Sequence, residues 1–217
     1  MNEKSKFFGQ KRVTAIFLSL LIVAAFLVGF LVGFLYGYES GRQDIIHTIS
    51  HHREVLLNLS SPEIQTQLKQ LFPRKLNYTE LLLWESERLN YTTKQIERYT
   101  NPLDILDYGL GKCGEFSILY VAICLANDIP ARLVTGVTVD HAWAEVNPSK
   151  DGVTWIHVEP TDSCVRIQHG KSIYDEPATV NNPSLYRNKN FQIVLAFQIT
   201  GNREVIIIDR TSYYTSF

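Results

Sequence analysis

Residues 111–117 read GKCGEFS, and the apolar run that starts inside this stretch decides the fold. From Cys113 to about Asn127 the apolar positions are too continuous for a surface helix, so we predict a buried helix that begins at the cysteine. The segment from Asn127 to Pro130 ends it. The sequence then predicts strands at 131–139, 141–147, 153–160, 191–199 and 204–208.

Simple geometry brings the start of this helix close to a histidine. A helix of about 14 residues carries the chain about 21 Å away, and a strand of six or seven residues covers the same distance back. The stretch 132–138 supplies that return, so His141 is expected near Cys113. A hairpin turning at 148–152 then sets Glu159 opposite His141. The same register sets Val153 opposite Asn147, Trp155 opposite Glu145, and His157 opposite Trp143.

A different register would change the carboxylate. A slip of two or three residues along the hairpin brings up Asp162 instead of Glu159, so Asp162 is the reserve candidate. A slip of one residue would break the division between the apolar and polar faces of the hairpin. The sequence therefore predicts that a cysteine, a histidine and a carboxylate converge.

These three residue types can perform nucleophilic catalysis. The positive end of the helix dipole favours the thiolate of Cys113, His141 can accept the thiol proton, and Glu159 can orient the imidazole. Backbone amides near Cys113 can bind a developing oxyanion. The reaction class is acyl transfer through a thioester, with water giving hydrolysis and an amine giving transamidation. The residues expected at the oxyanion and substrate approach are Gly111, Gly114 and Trp143.

Alternative interpretations exist for each candidate. Taken alone, Cys113 is typical of a small buried hydrophobe, and Cys124 and Cys164 are expected to be a core thiol and a loop thiol. No CxxC pair is present and the histidines do not have metal-ligand spacing, so we expect no metal site and no cofactor. The order and spacing of the three candidates favour catalysis.

Three motifs resemble a known family. GKCGEFS, then DHAWAEV at 140–146 and WIHVEP at 155–160, are similar to the motifs of the transglutaminase-like superfamily of cysteine enzymes, in particular its peptide N-glycanase-like branch. The resemblance covers about residues 78–165. It implies an α+β fold with a papain-like core, in which the cysteine helix packs on an antiparallel sheet. It also implies Cys113 as nucleophile, His141 as base and Glu159 as third member.

The chain departs from this family in two ways. Glu159 stands where the family usually has aspartate, and the paired CxxC motifs of peptide N-glycanases are absent. We expect an amide-bond hydrolase of the protease or amidase type, acting on proteins, peptides or cell-envelope polymers. The competing hypothesis is a non-catalytic binding module on the same fold.

The amino-terminal region predicts a membrane anchor. Residues 13–38 carry no charged side chain and exceed the roughly 20 residues that span a bilayer. Basic residues concentrate before the span, which predicts a cytoplasmic amino terminus and an outer domain in a single-pass protein of the cell membrane. The expected organisation is a tail at 1–12, a transmembrane helix at 13–38, a helical linker at 39–60 and a transglutaminase-like domain at 61–217.

Two further features follow from this topology. Gly29, Gly33 and Gly37 recur on one face of the span, which would allow close helix packing and predicts a homodimer. The alternative is that glycine is simply common in membrane helices. Asn58, Asn77 and Asn90 begin N-x-Ser/Thr triplets on the expected outer side, so they are glycosylation candidates. The formal net charge of −1 argues against a nucleic-acid partner.

Overall fold

A computed structural model of the chain describes residues 3–137, 141–173 and 193–215, with side chains from Phe26 onward. The chain forms two compact units, Met1–His47 and Thr48–Phe217. Helix α1 has the bounds Glu3–Leu59. The predicted boundaries at residues 12, 38 and 60 stay predictions.

The predicted membrane span lies on α1. Among the residues that the structure describes in full, no helix is long and apolar enough to cross a membrane. Residues 13–25 of the predicted span lie outside the described side chains. On the described part of α1, a Cβ added at Gly29, Gly33 or Gly37 would meet no atom within 4 Å.

Short helices with clear caps follow α1. The sequence Ser61-Pro62-Glu63 predicts an N-cap followed by proline at the first helical position. Helix α2 (Pro62–Gln70) begins there, and the Ser61 hydroxyl accepts the backbone N–H of Ile64. Helix α3 (Tyr78–Ser86) has a capping box, in which Asn77 and Glu80 each accept a backbone N–H of the other residue. Helix α4 (Pro102–Tyr108) completes this helical layer.

Helix α5 (Cys113–Ala126) is the buried helix that the apolar run predicts. Almost every side chain from Glu115 onward is buried, including Phe116 and Tyr120, which are fully enclosed. The helix packs against the other helices on one side and against the sheet on the other. A helix that is apolar all round is stable only in such a position.

Two short strands, β1 (Asn90–Tyr91) and β2 (Leu110–Gly111), pair in parallel. The other five strands are β3 (Ala131–Gly136), β4 (His141–Val146), β5 (Ile156–Val158), β6 (Val194–Ile199) and β7 (Val205–Asp209). They form a separate antiparallel sheet with the order β5-β4-β3-β6-β7. Helix α6 (Pro160–His169) follows β5 and helix α7 (Thr211–Thr215) follows β7. The α+β class, the antiparallel sheet and the preceding helices are therefore confirmed.

The β4–β5 hairpin is shifted by two residues from the predicted register. Glu145 pairs with His157 rather than Trp155, and Ala144 pairs with Val158. Because the shift is even, every side chain stays on its predicted face of the sheet. The wrong pairs are Val153 with Asn147, Trp155 with Glu145, His157 with Trp143, and Glu159 with His141.

The side chain of Asp151 explains this shift. Its Oδ1 atom accepts the backbone N–H groups of Val153 and Thr154, both at 2.8 Å. These hydrogen bonds hold the two residues in the turn, so they do not extend the ladder with β4. Strand β5 therefore begins only at Ile156. A side-chain cap of this kind competes with strand pairing.

The sheet separates two hydrophobic clusters. The larger one lies between the sheet and α5 and includes Leu133, Ala144 and Phe197. The smaller one lies on the opposite, outer face and contains Val134, Trp143, Val194, Ala196 and Tyr214. Residues alternate between these clusters along each strand, as the two-residue period of a strand requires.

Candidate active site

Cys113 is the first residue of α5 and its side chain is half-buried. The first N–H groups of a helix have no partner within the helix, so they are directed toward whatever lies at its amino end. Glu115 turns back and its Oε2 accepts the backbone N–H of Lys112 at 3.0 Å. The cysteine thus lies at the positive end of a buried helix dipole.

His141 and Glu159 are in direct contact. His141 Nε2 lies 2.9 Å from Glu159 Oε2, and the Glu159 side chain is fully buried. The two-residue shift does not replace Glu159 with Asp162, contrary to the prediction. Extending the observed register by one residue sets Glu159 beside Trp143, so His141 is its diagonal neighbour. Diagonal neighbours are about 7–8 Å apart at the backbone, within reach of a long side chain. The additional methylene of glutamate, compared with aspartate, suits this diagonal placement.

The electrostatics of His141 favour the imidazolium. Burial lowers the pKa of this histidine, but the charge of Glu159 and hydrogen bonds with Cys113 and Glu159 offset burial and raise the pKa to about 10. The same contacts place the Cys113 thiol within hydrogen-bonding reach of the ring. Cysteine, histidine and glutamate are therefore linked in one chain of hydrogen bonds.

The other acid and base candidates nearby have different environments. Burial, together with the charge of His141, lowers the pKa of His157 to about 3, so this ring stays neutral. Asp162, the reserve carboxylate, accepts hydrogen bonds from Ser172 Oγ at 2.6 Å and the backbone N–H of Ile173 at 2.7 Å. These hydrogen bonds hold α6 to Ser172 and Ile173, which follow it in the sequence.

Three residues predicted at the substrate approach have different positions. A Cβ on Gly111 would lie 2.9 Å from the Cβ of Glu115, so glycine is needed there for packing. Trp143 is fully buried on the outer face and stacks on His141, so it does not face a cleft. Gly114 does line the cavity beside Cys113.

A cavity of about 240 Å³ opens at Cys113, Gly114 and His141. One wall comes from the end of α1, with His51, His52 and Val55, and another from the stretch that contains Arg98. Arg98 Nη1 lies 3.6 Å from Glu115 Oε2. The periodicity of α1 predicts that Val55 is buried, but no local signal places a helix from outside the motifs beside the cysteine.

The remaining sequence candidates lie away from this cavity. Asn58 is exposed on α1, Asn77 caps α3, and Asn90 is exposed in β1. Cys164, expected in a loop, is instead buried in α6. Within the described parts of the chain, no group of three or more His, Cys, Asp or Glu side chains could hold a metal ion.

The fold and the site can be compared with those of known protein families. Residues 68–160 match the model of the transglutaminase-like superfamily. The matched segment contains Cys113, His141 and Glu159. This segment is therefore similar to the transglutaminase-like superfamily, as the three sequence motifs indicate.

Individual relatives point to one branch of this class. The peptide-N(4)-(N-acetyl-beta-glucosaminyl)asparagine amidase of Oryza sativa subsp. japonica is 31% identical over 126 residues, which are 56% of this chain and 24% of that protein. The enzyme of the same name from Eremothecium gossypii is 35% identical over 113 residues, 52% of this chain and 27% of that protein. The chain thus spans about a quarter of these relatives.

A solved structure supports the fold across a larger part of the chain. The crystal structure of Rad4–Rad23 bound to a 6-4 photoproduct UV lesion matches with a TM-score of 0.57 and 12% identity. The match covers 82% of this chain and 48% of that chain. At this level of identity the likeness concerns the fold alone.

Proposed function

We propose that the domain is a cysteine-dependent amidase that uses Cys113, His141 and Glu159. The observation that carries the proposal is the chain of hydrogen bonds from the thiol at the start of α5, through His141, to the buried carboxylate of Glu159. A histidine held as imidazolium beside a cysteine favours the thiolate, which is the nucleophilic form.

The reaction follows from this arrangement. The thiolate attacks the amide carbonyl carbon, and helix N–H groups stabilise the oxyanion. His141 then gives its proton to the leaving nitrogen as the C–N bond breaks, which leaves a thioester on Cys113. Neutral His141 takes a proton from water, whose oxygen attacks the thioester carbonyl carbon. The C–S bond then breaks, which releases the carboxylic acid and restores the Cys113 thiolate beside protonated His141. Glu159 stabilises the imidazolium in each cycle.

The substrate class rests on the relatives. Their names describe amidases that act on an asparagine side chain carrying N-acetylglucosamine. We therefore propose peptide or glycopeptide amides as substrates, with proteins and cell-envelope polymers as the wider class. Incubation with matched peptides and glycopeptides, followed by mass spectrometry, should show a mass change in one of them that Cys113→Ala abolishes.

A thiol-reactive probe separates catalysis from a binding module. We expect Cys113 to react with iodoacetamide at pH 6 much faster than free cysteine does, and His141→Ala to remove the difference. If Cys113 reacts at the rate of free cysteine between pH 6 and 8, and His141→Ala changes nothing, the enzyme proposal fails. The binding module on the same fold is then the better interpretation.

We propose further that residues 13–38 anchor the protein in the cell membrane, with the domain outside. The proposal is supported by the uncharged sequence of this stretch and the basic residues before it. Membranes washed with alkaline carbonate should retain the full chain. A protease added to intact cells should cut the domain but leave residues 1–12. Release by carbonate would contradict the anchor.

A homodimer through Gly29, Gly33 and Gly37 is a separate proposal. Small residues every fourth position let two helix backbones approach closely in a bilayer. Crosslinking in membranes should trap a dimer that Gly33→Ile disrupts, while Gly41→Ile, placed just beyond the span, should have less effect. Recovery of monomer alone, unchanged by Gly33→Ile, would exclude this dimer.

A further inference from the structure

The outer face of the sheet carries a buried carboxylate that holds helix α7 against strand β4. Glu145 Oε1 accepts hydrogen bonds from Tyr214 Oη at 2.8 Å and from Arg210 Nε at 2.9 Å. Its Oε2 accepts one from Arg132 Nη1 at 3.2 Å. Since only 1% of the Glu145 side chain is exposed, these charge-assisted bonds replace its hydration. They tie the end of the described chain to the strand that begins with His141.

Trp143 connects this network to the histidine of the proposed site. Its ring meets Tyr214 edge-on, with the centroids 5.0 Å apart and an interplanar angle of 79°. The same indole stacks on His141 at 5.5 Å and 27°. His141, Trp143 and Glu145 alternate along β4 and so lie on one face of the sheet. The indole thus contacts both the imidazole and the ring from α7.

The hydroxyl of Tyr214 is suited to a permanent hydrogen bond. Burial, reinforced by the charge of Glu145, raises the pKa of Tyr214 well above its usual value, so the hydroxyl keeps its proton and donates it. The backbone also holds α7, because Arg210 N donates to Val194 O at 2.8 Å. The Tyr214 ring is therefore held in place from both its hydroxyl end and its backbone.

We propose that α7 is a positioning element for the catalytic histidine, with Tyr214 acting on His141 through Trp143. The proposal rests on the proposed function, because it assigns a role that matters only if His141 is the base. Catalysis by a hydrogen-bonded pair is sensitive to displacements of less than about 1 Å. The indole limits the tilt of the imidazole, and Tyr214 limits the movement of the indole. Helix α7 lies outside residues 68–160, the segment that matches the superfamily model.

The test is the pH profile of iodoacetamide alkylation at Cys113 in the full chain. We expect Tyr214→Leu to move the acidic midpoint upward by about 0.5–1 pH unit and to slow alkylation at pH 6 about three- to tenfold, the scale of one lost aromatic pair. Tyr214→Phe keeps the ring against Trp143, so its profile should stay closer to that of the wild type. If the profile of Tyr214→Phe is close to that of the wild type while that of Tyr214→Leu is shifted, the aromatic ring acts by positioning His141 and the shift is not a general loss of structure.

Matched controls measure stability effects alone. Leu68→Ala opens the buried core under α2, and Tyr120→Phe removes a buried hydroxyl whose acceptor is the backbone carbonyl of Tyr78. Both should lower the melting temperature and leave the alkylation profile unchanged. If Tyr214→Leu does not fold, Tyr214→Phe and Tyr120→Phe form the comparison, with a shift of a few tenths of a pH unit expected only for the former.

The outcomes separate the two proposals. A fast wild-type reaction whose profile is the same in the Tyr214 variants and the controls would overturn the positioning role and leave the proposed function intact. A wild-type Cys113 that reacts at the rate of free cysteine would overturn both. A shift in the Tyr214 variants alone supports the positioning role.

Discussion

Two sites in the domain place a cysteine close to a buried carboxylate, and they differ in the group between them. At the amino end of α5, Cys113 and Glu159 both contact His141. In the helical core, Cys164 donates directly to Glu85, with Sγ and Oε2 3.7 Å apart. The first site has an imidazole between thiol and carboxylate, whereas in the second the thiol meets the acid itself.

The two sites differ in the charge that their buried groups carry. Burial raises the pKa of Glu85 well above its ordinary value, and burial likewise raises the pKa values of Cys164 and of Cys124 nearby. These groups stay neutral. His141, although buried, has its pKa raised to about 10 because a carboxylate faces it. The first site therefore contains a histidine that keeps its proton, whereas the second site contains only groups whose pKa values are raised by burial.

The largest expected effect comes from removing that base. At pH 6 an ordinary thiol is ionised to less than about 1%, so His141→Ala should slow iodoacetamide alkylation of Cys113 about 100-fold or more. Peptide mapping after alkylation measures the rate at each cysteine. Cys124 and Cys164 should stay unlabelled until the protein is unfolded. Equal labelling of Cys113 and Cys124 in the folded protein would remove the distinction between the sites.

The next effect concerns the carboxylate. Glu159→Gln removes the charge that raises the pKa of His141, so the imidazolium should lose its proton at a lower pH. In the wild type the charged ring is present below about pH 10 and is lost above it. We expect amidase activity to fall about ten- to a hundredfold and its alkaline limb to move toward neutral pH.

Asp162→Asn is the matched control for Glu159→Gln. It weakens the hydrogen bonds to Ser172 and Ile173, so it should lower the melting temperature with little change in the pH profile. If Asp162→Asn alone abolished activity, Asp162 rather than Glu159 would be the functional carboxylate.

At the second site, formed by Cys164 and Glu85, we expect a smaller effect, which concerns the stability of the fold. Glu85 keeps its proton in the folded chain but ionises above its ordinary pKa of 4.5 when unfolded. The free energy of unfolding therefore falls as the pH rises above 4.5, since the unfolded state binds fewer protons. Glu85→Gln should remove this slope in urea titrations at pH 5–9. An unchanged slope would show that Glu85 is ionised in the fold.

The smallest effect compares the two core thiols. Cys124→Ala and Cys164→Ala each remove one buried sulfur, which should lower the free energy of unfolding by about 1 kcal/mol. Cys124→Ala removes a hydrogen bond with the Tyr120 hydroxyl, whereas Cys164→Ala should cost more because it leaves the buried Glu85 carboxyl group without a donor. Urea titrations at pH 5 measure both. A larger loss from Cys124→Ala would contradict the direct thiol–carboxyl contact.

Local patterns predicted much of this fold correctly. The buried helix from Cys113, the cap at Ser61 and the five strands of the main sheet follow from apolar periodicity and helix-capping signals. The hairpin register did not follow, because the hydrogen bonds of Asp151 lengthen the turn. Trp143 was misplaced because its partner Tyr214 lies far along the chain.

In the candidate site, too, local sequence determined some features and tertiary structure decided others. Residue types and their order in the sequence determined Cys113, His141 and Glu159 as candidates, since each motif is local. Tertiary structure decided that Glu159 reaches His141 diagonally and that the end of α1 lines the cavity. It also decided that Tyr214 of α7 contacts Trp143, which stacks on His141. These contacts join segments distant in sequence, and their geometry depends on packing that no local pattern encodes.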